Sequence, residues 1–262
     1  MEVRPHGLAV GRHVAVLGEW DPLGPQHEQL FVSECDRARG RGLPLLVVTF
    51  EPSPISLLMG ARSRPPFDDV VARLAAQARW GASSRIVVAL TPQEVQHAGV
   101  DELLDALAPY VEIGELALGV RQNLGTQDRG NDAAIRAAAA RRGIGVRRLD
   151  GRFHGTPKPD ARTALVGGRL GRAVELIGRP LYWSRPEGGR RTLPWPPGSY
   201  RAVPLRGPHM GAETGPPVTV ELVEEPGGAT FRWPDDDAPW LGFVSGPQDL
   251  RDAGTPMALA AR

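Results

Sequence analysis

At 262 residues, with 31 lysines and arginines against 30 aspartates and glutamates, the chain carries a formal net charge of +1 and has room for one large domain or two small ones. No apolar run reaches the ~20 residues of a membrane span, and no face-long basic run argues for nucleic acid. A single cysteine, Cys35, leaves neither an internal disulfide nor a multi-cysteine zinc site.

The opening "MEVRPHGLAVGR" lacks the charged-then-apolar order of a secretory leader, so a reduced cytoplasmic setting is the expectation. "HVAVL" (13–17) predicts a short buried strand. It runs into "GEWDPLGPQHEQL" (18–30): a glycine, an acidic residue, a proline–glycine turn and one histidine, with neither GxGxxG nor GxxxxGK[ST]. A helix is predicted over 27–39, with Leu30, Phe31, Cys35 and Ala38 toward one face and Gly40 and Gly42 ending it. "LPLLVVTF" (43–50) reads as a strand buried on both faces. Then follow a helix over 68–81 capped by Asp68, a strand at 85–90, a helix over 99–110 and a strand at 114–119. A helix over 131–143 capped by Asn131 and a strand at 144–150 complete the alternation. Strands alternating with helices predict an α/β fold with a Rossmann-like parallel sheet covered on both faces. Ligands of such sheets sit at the carboxyl ends of the strands, near the switch in strand order. The first strand-to-helix turn, 18–30, is therefore the leading site.

Beyond Arg179 the texture changes to a Pro- and Gly-dense stretch that fits no helix. "SYRAVPL", "PVTVELVEE", "ATFRWP" and "WLGFVS" predict short strands of a small all-β, barrel-like module. The reading gives two domains, 1–180 and 181–262, with the last dozen residues fraying. Lys158 is the only lysine, in a chain whose coding bias favours arginine, and it lies on a Pro-Lys-Pro loop.

The motifs, taken in order, resemble those of the bifunctional riboflavin kinase/FAD synthetases, chiefly their FMN adenylyltransferase domain. The family's G-x-F-D-G-V-H-x-G-H falls on Gly18-Glu19-Trp20-Asp21-Pro22-Leu23-Gly24-Pro25-Gln26-His27, and its T-F-E-P-H-P on Thr49-Phe50-Glu51-Pro52-Ser53-Pro54. Its G-x-D-F-x-F-G loop with a later R-x-G falls on Gly119 to Gly125 and Arg129-Gly130-Asn131, and its S-S-T-x-I-R on Pro157 to Arg162. The run "ALVGGRLGRAVELIGRPLYWSR" (164–185) resembles the joint between the family's two domains, and the similarity spans roughly 13–185. "LPWPPGSYRAV" (193–203) resembles a strand of the flavokinase barrel, but the P-T-A-N signature for Mg·ATP is absent and the module is short, so no kinase activity is expected.

The resemblance implies transfer of AMP from ATP, with Mg²⁺, to FMN or a related phosphate-bearing substrate. Its ligands would be small nucleotides and flavins, with no nucleic acid and no membrane, and the sequence fixes no oligomeric state. It implies catalytic roles for His27, Lys158 and Arg162, and nucleotide contacts at Gly18, Asp21, Gly24 and Arg129. Flavin or substrate contacts would come from Thr49, Glu51, Ser53, Arg121 and Asn123. Each has a plain alternative. His27 can simply start a helix, Asp21 can orient Mg²⁺ or bond its own turn, and Glu51 can bind the flavin phosphate end or cap neighbouring backbone. Trp20 can lie over a nucleotide or pack in the core. Arg121, Arg129 and Arg162 can meet phosphate bidentately or lie in solvent, and Lys158 can replace lost phosphate ligands or be a chance survivor. Three departures stand out: Gly24 replaces the first histidine, Arg121 replaces an acid, and Pro-Lys-Pro replaces Ser-Ser-Thr. They leave open a relative redirected in specialised metabolism to another flavin, nucleotide or reaction, or a catalytically silent flavin- or nucleotide-binding protein. If the family chemistry holds, Lys158 and His27 should face one pocket.

Overall fold

The structure, a computed structural model, describes the chain except for residues 60–63, 120–123, 125–129, 150–157, 208–215, 227, 235–237, 248 and 250–262. Its contacts divide it into two units, Met1–Gly60 with Arg73–Gly155, and Ala61–Ala72 with Thr156–Arg262.

In the first unit the continuous apolar runs form the middle of a six-stranded sheet. Strand β2 (Arg12–Gly18) lies between β3 (Leu45–Phe50) and β5 (Glu112–Leu118), parallel to both, with Val16 opposite Val47 on one side and Ala117 on the other. Beyond β3 lies β4 (Ser84–Ala89), and beyond β5 lies β6 (Gly145–Arg148). Alternate residues of these strands point to opposite faces. Ala15, Leu17, Leu46 and Val48 pack against Val100, Leu103 and Leu107 of α5 (Val100–Leu107) and Ile135 and Ala138 of α6 (Asp132–Arg141). Val14, Val16, Leu45 and Val47 pack against Leu30, Phe31, Cys35 and Ala38 of α1 (Pro25–Arg39) and Ala76 of α3 (Val70–Arg79). Two buried faces explain why the strand sequences read as unbroken apolar runs.

The sheet has one strand the sequence reading did not contain. β1 (Glu2–His6) pairs antiparallel with β4 at the edge. It is almost wholly exposed and contains Pro5; backbone pairing and the partly buried Val3 hold it, and no apolar pattern announces it. Two six-residue helices, α2 (Pro54–Met59) and α4 (Pro92–His97), were also absent from the reading because neither buries a residue. The start of α4 was nonetheless legible. Thr91 accepts from the Glu94 amide at 3.2 Å while the Glu94 carboxylate accepts from the Thr91 amide at 2.8 Å, a capping box written as T-x-x-E. Asn131 caps α6 as expected, accepting from the Ala134 amide at 2.9 Å.

The cap of α3 requires a correction. The helix begins at Val70, and Asp69 rather than Asp68 accepts from the Ala72 amide at 2.6 Å. Asp68 is held by Arg179 and by the Tyr182 amide at 2.8 Å, so its carboxylate is unavailable to the helix.

At the amino end of the first sheet, His13 is buried, with Nε2 2.8 Å from the Ser84 hydroxyl and Nδ1 3.3 Å from the Glu112 carbonyl. Burial holds its imidazole below the usual histidine range, against the opposing pull of the Glu112 and Gly11 carbonyls.

The second unit opens with α7 (Lys158–Val166) and α8 (Leu170–Ile177). Gly178 ends α8 at φ +82°, the left-handed stop that places a glycine at the head of "GRPL". Six antiparallel strands follow in the order β7 (Leu181–Ser184), β12 (Trp240–Ser245), β9 (Gly198–Leu205), β10 (Val218–Glu225), β11 (Gly228–Arg232), β8 (Arg190–Leu193). This is the predicted β module, with β7 and β8 added as short strands. Trp183, Trp195 and Trp233 are core residues, and Trp240 is partly buried against a smaller cluster.

Part of this unit comes from far upstream. Phe67 is fully buried in its core, and the carbonyls of Pro66 and Phe67 accept from the indoles of Trp195 and Trp183 at 3.2 and 2.9 Å. Asp69 accepts from the Ser184 amide at 2.8 Å, from the Ser184 hydroxyl, and from Arg191 at 2.7 Å. The segment between β3 and β4 thus supplies core side chains and backbone acceptors to a module whose strands begin more than a hundred residues later.

Candidate functional site

The strand order makes β2 the switch point. From it the chain steps to β3 and β4 on one side, then returns to β5 and β6 on the other. The carboxyl end of β2 is where such sheets bind ligands, and the turn leaving it is Gly18–Gly24.

That turn is packed rather than open. Trp20 is buried at φ +52°, its indole N–H donating to the Val48 carbonyl at 2.9 Å and its ring 4.9 Å from Phe31. The packing alternative for Trp20 is what the structure shows. A Cβ on Gly18 would lie 2.8 Å from the indole, so this glycine is set by the ring folded over it. Asp21 and Leu23 are also buried.

Helix α1 starts at the end of the turn, with Gly24 as N-cap and Pro25 in the first position. His27 is buried and edge-on to Trp20, with ring centroids 6.0 Å apart. The Gly24 amide donates to His27 Nδ1 at 3.0 Å, and the His27 amide donates to the Gly24 carbonyl at 2.9 Å. With Nδ1 accepting, the neutral ring carries its proton on Nε2. The ring therefore takes part in the helix start, at the positive end of a helix dipole.

The end of β3 lies beside this turn. Ser53 donates to the Glu19 carboxylate at 2.9 Å and accepts from the Ser56 amide at 3.3 Å. The Glu51 carboxylate pairs with Arg73, whose other Nη donates to the Glu19 carbonyl at 2.9 Å. Thr49 is fully buried, and its hydroxyl accepts from the Gln77 side chain at 3.1 Å. On the other side of the switch, Arg148 donates to the Gly119 carbonyl at 2.8 Å and pairs with Asp132 at 2.6 Å.

Gly18, Asp21, Gly24, His27, Thr49, Glu51 and Ser53 thus belong to adjoining turns at one end of the first unit's sheet. Arg162 lies in the second unit, buried, with its guanidinium 4.4 Å from the Phe67 ring and bonded to the Pro65 carbonyl. Lys158 opens α7 in the same unit, and its side chain falls outside the described residues. Arg121, Asn123 and Arg129 also fall outside them. Among the described residues no group of three or more His, Cys, Asp or Glu is arranged to hold a metal ion, and no helix is long and apolar enough to cross a membrane.

The sequence reading missed Arg73, Gln77 and Arg148. A signal existed for the first two: in "VVARLAAQARW" they sit at 73 and 77, the helical spacing that leads to buried Trp80. Polar residues on an apolar stripe mark something buried that needs a donor.

The sequence profile of the FAD synthetase family matches residues 9–154, more than half of the chain. A search of curated proteins returns no match. Among solved structures, the chain is similar to a macrolide-efflux protein from Streptococcus pneumoniae, at 15% identity and a TM-score of 0.58, over 93% of this chain and 92% of that one. At this identity the likeness is one of fold. A universal stress protein from Archaeoglobus fulgidus matches 54% of this chain over 100% of its own, at 15% identity and a TM-score of 0.32.

Proposed function

The chain belongs to the FAD synthetase family, and from that membership we propose that its first unit transfers AMP from ATP to FMN or a related phosphate-bearing acceptor. A phosphate oxygen of the acceptor forms a bond to the α-phosphorus of ATP, the bond from that phosphorus to the β-phosphate oxygen breaks, and pyrophosphate leaves. The protein's part is positioning and charge neutralisation. His27 donates from Nε2 to the α-phosphate, beside the first-turn amides of α1. The Gly18–Gly24 turn lets backbone approach the nucleotide, and Ser53 and Glu51 meet the acceptor's phosphate end, with Thr49 beneath them. The family resemblance assigns Arg121 and Asn123 to the acceptor, Arg129 to the nucleotide, and Lys158 and Arg162 to the leaving pyrophosphate.

Mg²⁺ is ordinarily held by one or two carboxylates plus substrate phosphates rather than by a protein cage. Asp21 would hold the ion, which would neutralise phosphate charge. The module of the second unit is assigned no kinase activity.

The observation that supports this reading is the 3.0 Å bond from the Gly24 amide to His27 Nδ1, which holds the imidazole at the N-terminus of α1, in the turn that leaves the switch-point strand. The test is incubation with FMN, ATP and Mg²⁺ and detection of FAD by mass spectrometry. FAD formed by wild type and lost in His27→Ala supports the transfer, and its absence from wild type overturns it.

A second reading is favoured by Gly24 standing where the family has its first histidine and by Arg121 replacing an acid. It is a pocket redirected to a more anionic or different acceptor. Replacing FMN by other phosphate-bearing acceptors in the same assay distinguishes the two. A protein that binds these ligands and turns none over would be the silent relative.

A further inference from the structure

We infer that Arg73 is the positioning residue of this site, fixing the β2–α1 turn and through it the N-terminus of α1 and His27. Arg73 is 2% exposed, among the largest fully buried side chains of the chain. A guanidinium is buried at high cost unless its donors are matched, and here the matching groups belong to two different strand ends. One Nη donates to the Glu19 carbonyl at 2.9 Å, on the residue that follows β2, and the other pairs with Glu51, the residue that follows β3. The turns after β2 and β3 are also joined outside this pair, through the Ser53 hydroxyl on the Glu19 carboxylate.

The brace is aimed at the turn rather than at the sheet. β2 and β3 are already held by their ladder up to Gly18 and Thr49. Of the two residues Arg73 grips, Glu19 is the first past that ladder, and Glu51 lies two past it and is also held through its amide on the Val88 carbonyl at 3.1 Å. From Glu19 the chain passes through Trp20, anchored on the Val48 carbonyl, to Gly24, whose amide orients the His27 ring. One turn further along α3, Gln77 holds Thr49 in the same way. A planar fork of donors is required for this geometry. A lysine ammonium keeps the charge but lacks the fixed fork that spans both acceptors.

The inference rests on the adenylyl-transfer reading for its kinetic arm only. The experiment compares wild type with Arg73→Lys by thermal melting, by hydrogen exchange, and by FAD formation with ATP and FMN varied separately. The expected result is a folded variant whose exchange rises about tenfold or more in residues 19–24 and not across the sheet. Its kcat should fall about 100-fold, as for a misplacement on the order of 1 Å, with KM for either substrate within about threefold. Unchanged exchange with unchanged kcat overturns the inference, and so does a rise spread evenly over the first unit, the mark of general destabilisation. Wild type that makes no FAD overturns the transfer reading instead, and the exchange pattern alone then decides the role of Arg73. If Arg73→Lys does not fold, Glu51→Gln decides, since it keeps the guanidinium and an acceptor of the same size. A smaller rise confined to 19–24 is then expected, and none overturns the brace.

Discussion

The Gly24 amide donates to the Nδ1 of His27, three residues on in the first turn of α1. In a capping box that position is ordinarily filled by Glu or Gln, whose side chain reaches back to the N-cap amide. His27 does the same with an imidazole, and the proposed transfer assigns a separate role to its Nε2.

The two jobs separate by substitution. His27→Gln retains an acceptor for the Gly24 amide, so its thermal stability should stay within about 0.5 kcal/mol of wild type. It loses Nε2–H, and FAD formation should fall about 10²- to 10³-fold, as for removal of one preorganised donor. His27→Ala should lose the activity and, in addition, about 1 kcal/mol of stability with the cap. Wild-type turnover in His27→Gln would mean that the ring only caps.

Gly18→Ala tests the seat of the indole. The added Cβ would meet the Trp20 ring at 2.8 Å. The ring must leave its place over the turn, and a loss of about 1–3 kcal/mol is expected, typical of overpacking. Thermal denaturation with tryptophan fluorescence reads both effects. A variant with the wild-type melting point and emission would show that the turn gives way freely.

His13 predicts how the first unit responds to mild acid. Its folded pKa lies below the unfolded value because burial disfavours the charged ring, despite the opposing carbonyls of Glu112 and Gly11. Between the two values the unfolded chain binds more protons. The stabilisation is therefore complete above the unfolded value of about 6.5 and declines as pH falls below it toward the folded pKa. Urea midpoints measured from pH 7.5 down to 5 should drop, and the drop should be shallower in His13→Asn. Equal slopes in the two proteins would remove His13 as the cause.

Asp69 predicts a weak point of the second unit. It is 4% exposed and receives the Ser184 amide and hydroxyl, Arg191 and the Ala72 amide. Asp69→Ala strands a cation and several donors, at a cost of about 3–5 kcal/mol. The near-ultraviolet signal of Trp183 and Trp195 should melt first in calorimetry paired with circular dichroism. Melting within a degree of wild type would show that the β module holds its shape without this carboxylate.

The frame of the first unit was legible because buried parallel strands and amphipathic helices write themselves as apolar runs and 3.6-residue stripes. "LPLLVVTF" became β3, and Leu30, Phe31, Cys35 and Ala38 became the inner face of α1. The first turn was legible as a site because the alternation of elements places it at the end of a strand. What was not legible depended on partners distant in sequence. The spacing of Arg73 marks it as buried, but what it serves is not legible until Glu19 and Glu51 are placed beside it, 54 and 22 residues away. Asp68 reads as the helix cap until β7 arrives to claim it and Asp69 takes the cap. β1, with an exposed and proline-bearing sequence, is a strand through its edge partner and the packing of Val3.

The segment that carries Phe67 and the Asp pair bears on how such a protein could be reassembled by recombination. A single crossover near residue 156 would join a new β module to a chain still bearing the old module's aspartates and phenylalanine, while the incoming one would lack its own. The two halves of the gene are therefore inherited as a set. A lineage that replaces the module must exchange two stretches of coding sequence at once, or pass through an intermediate whose module has a hole where Phe67 belongs.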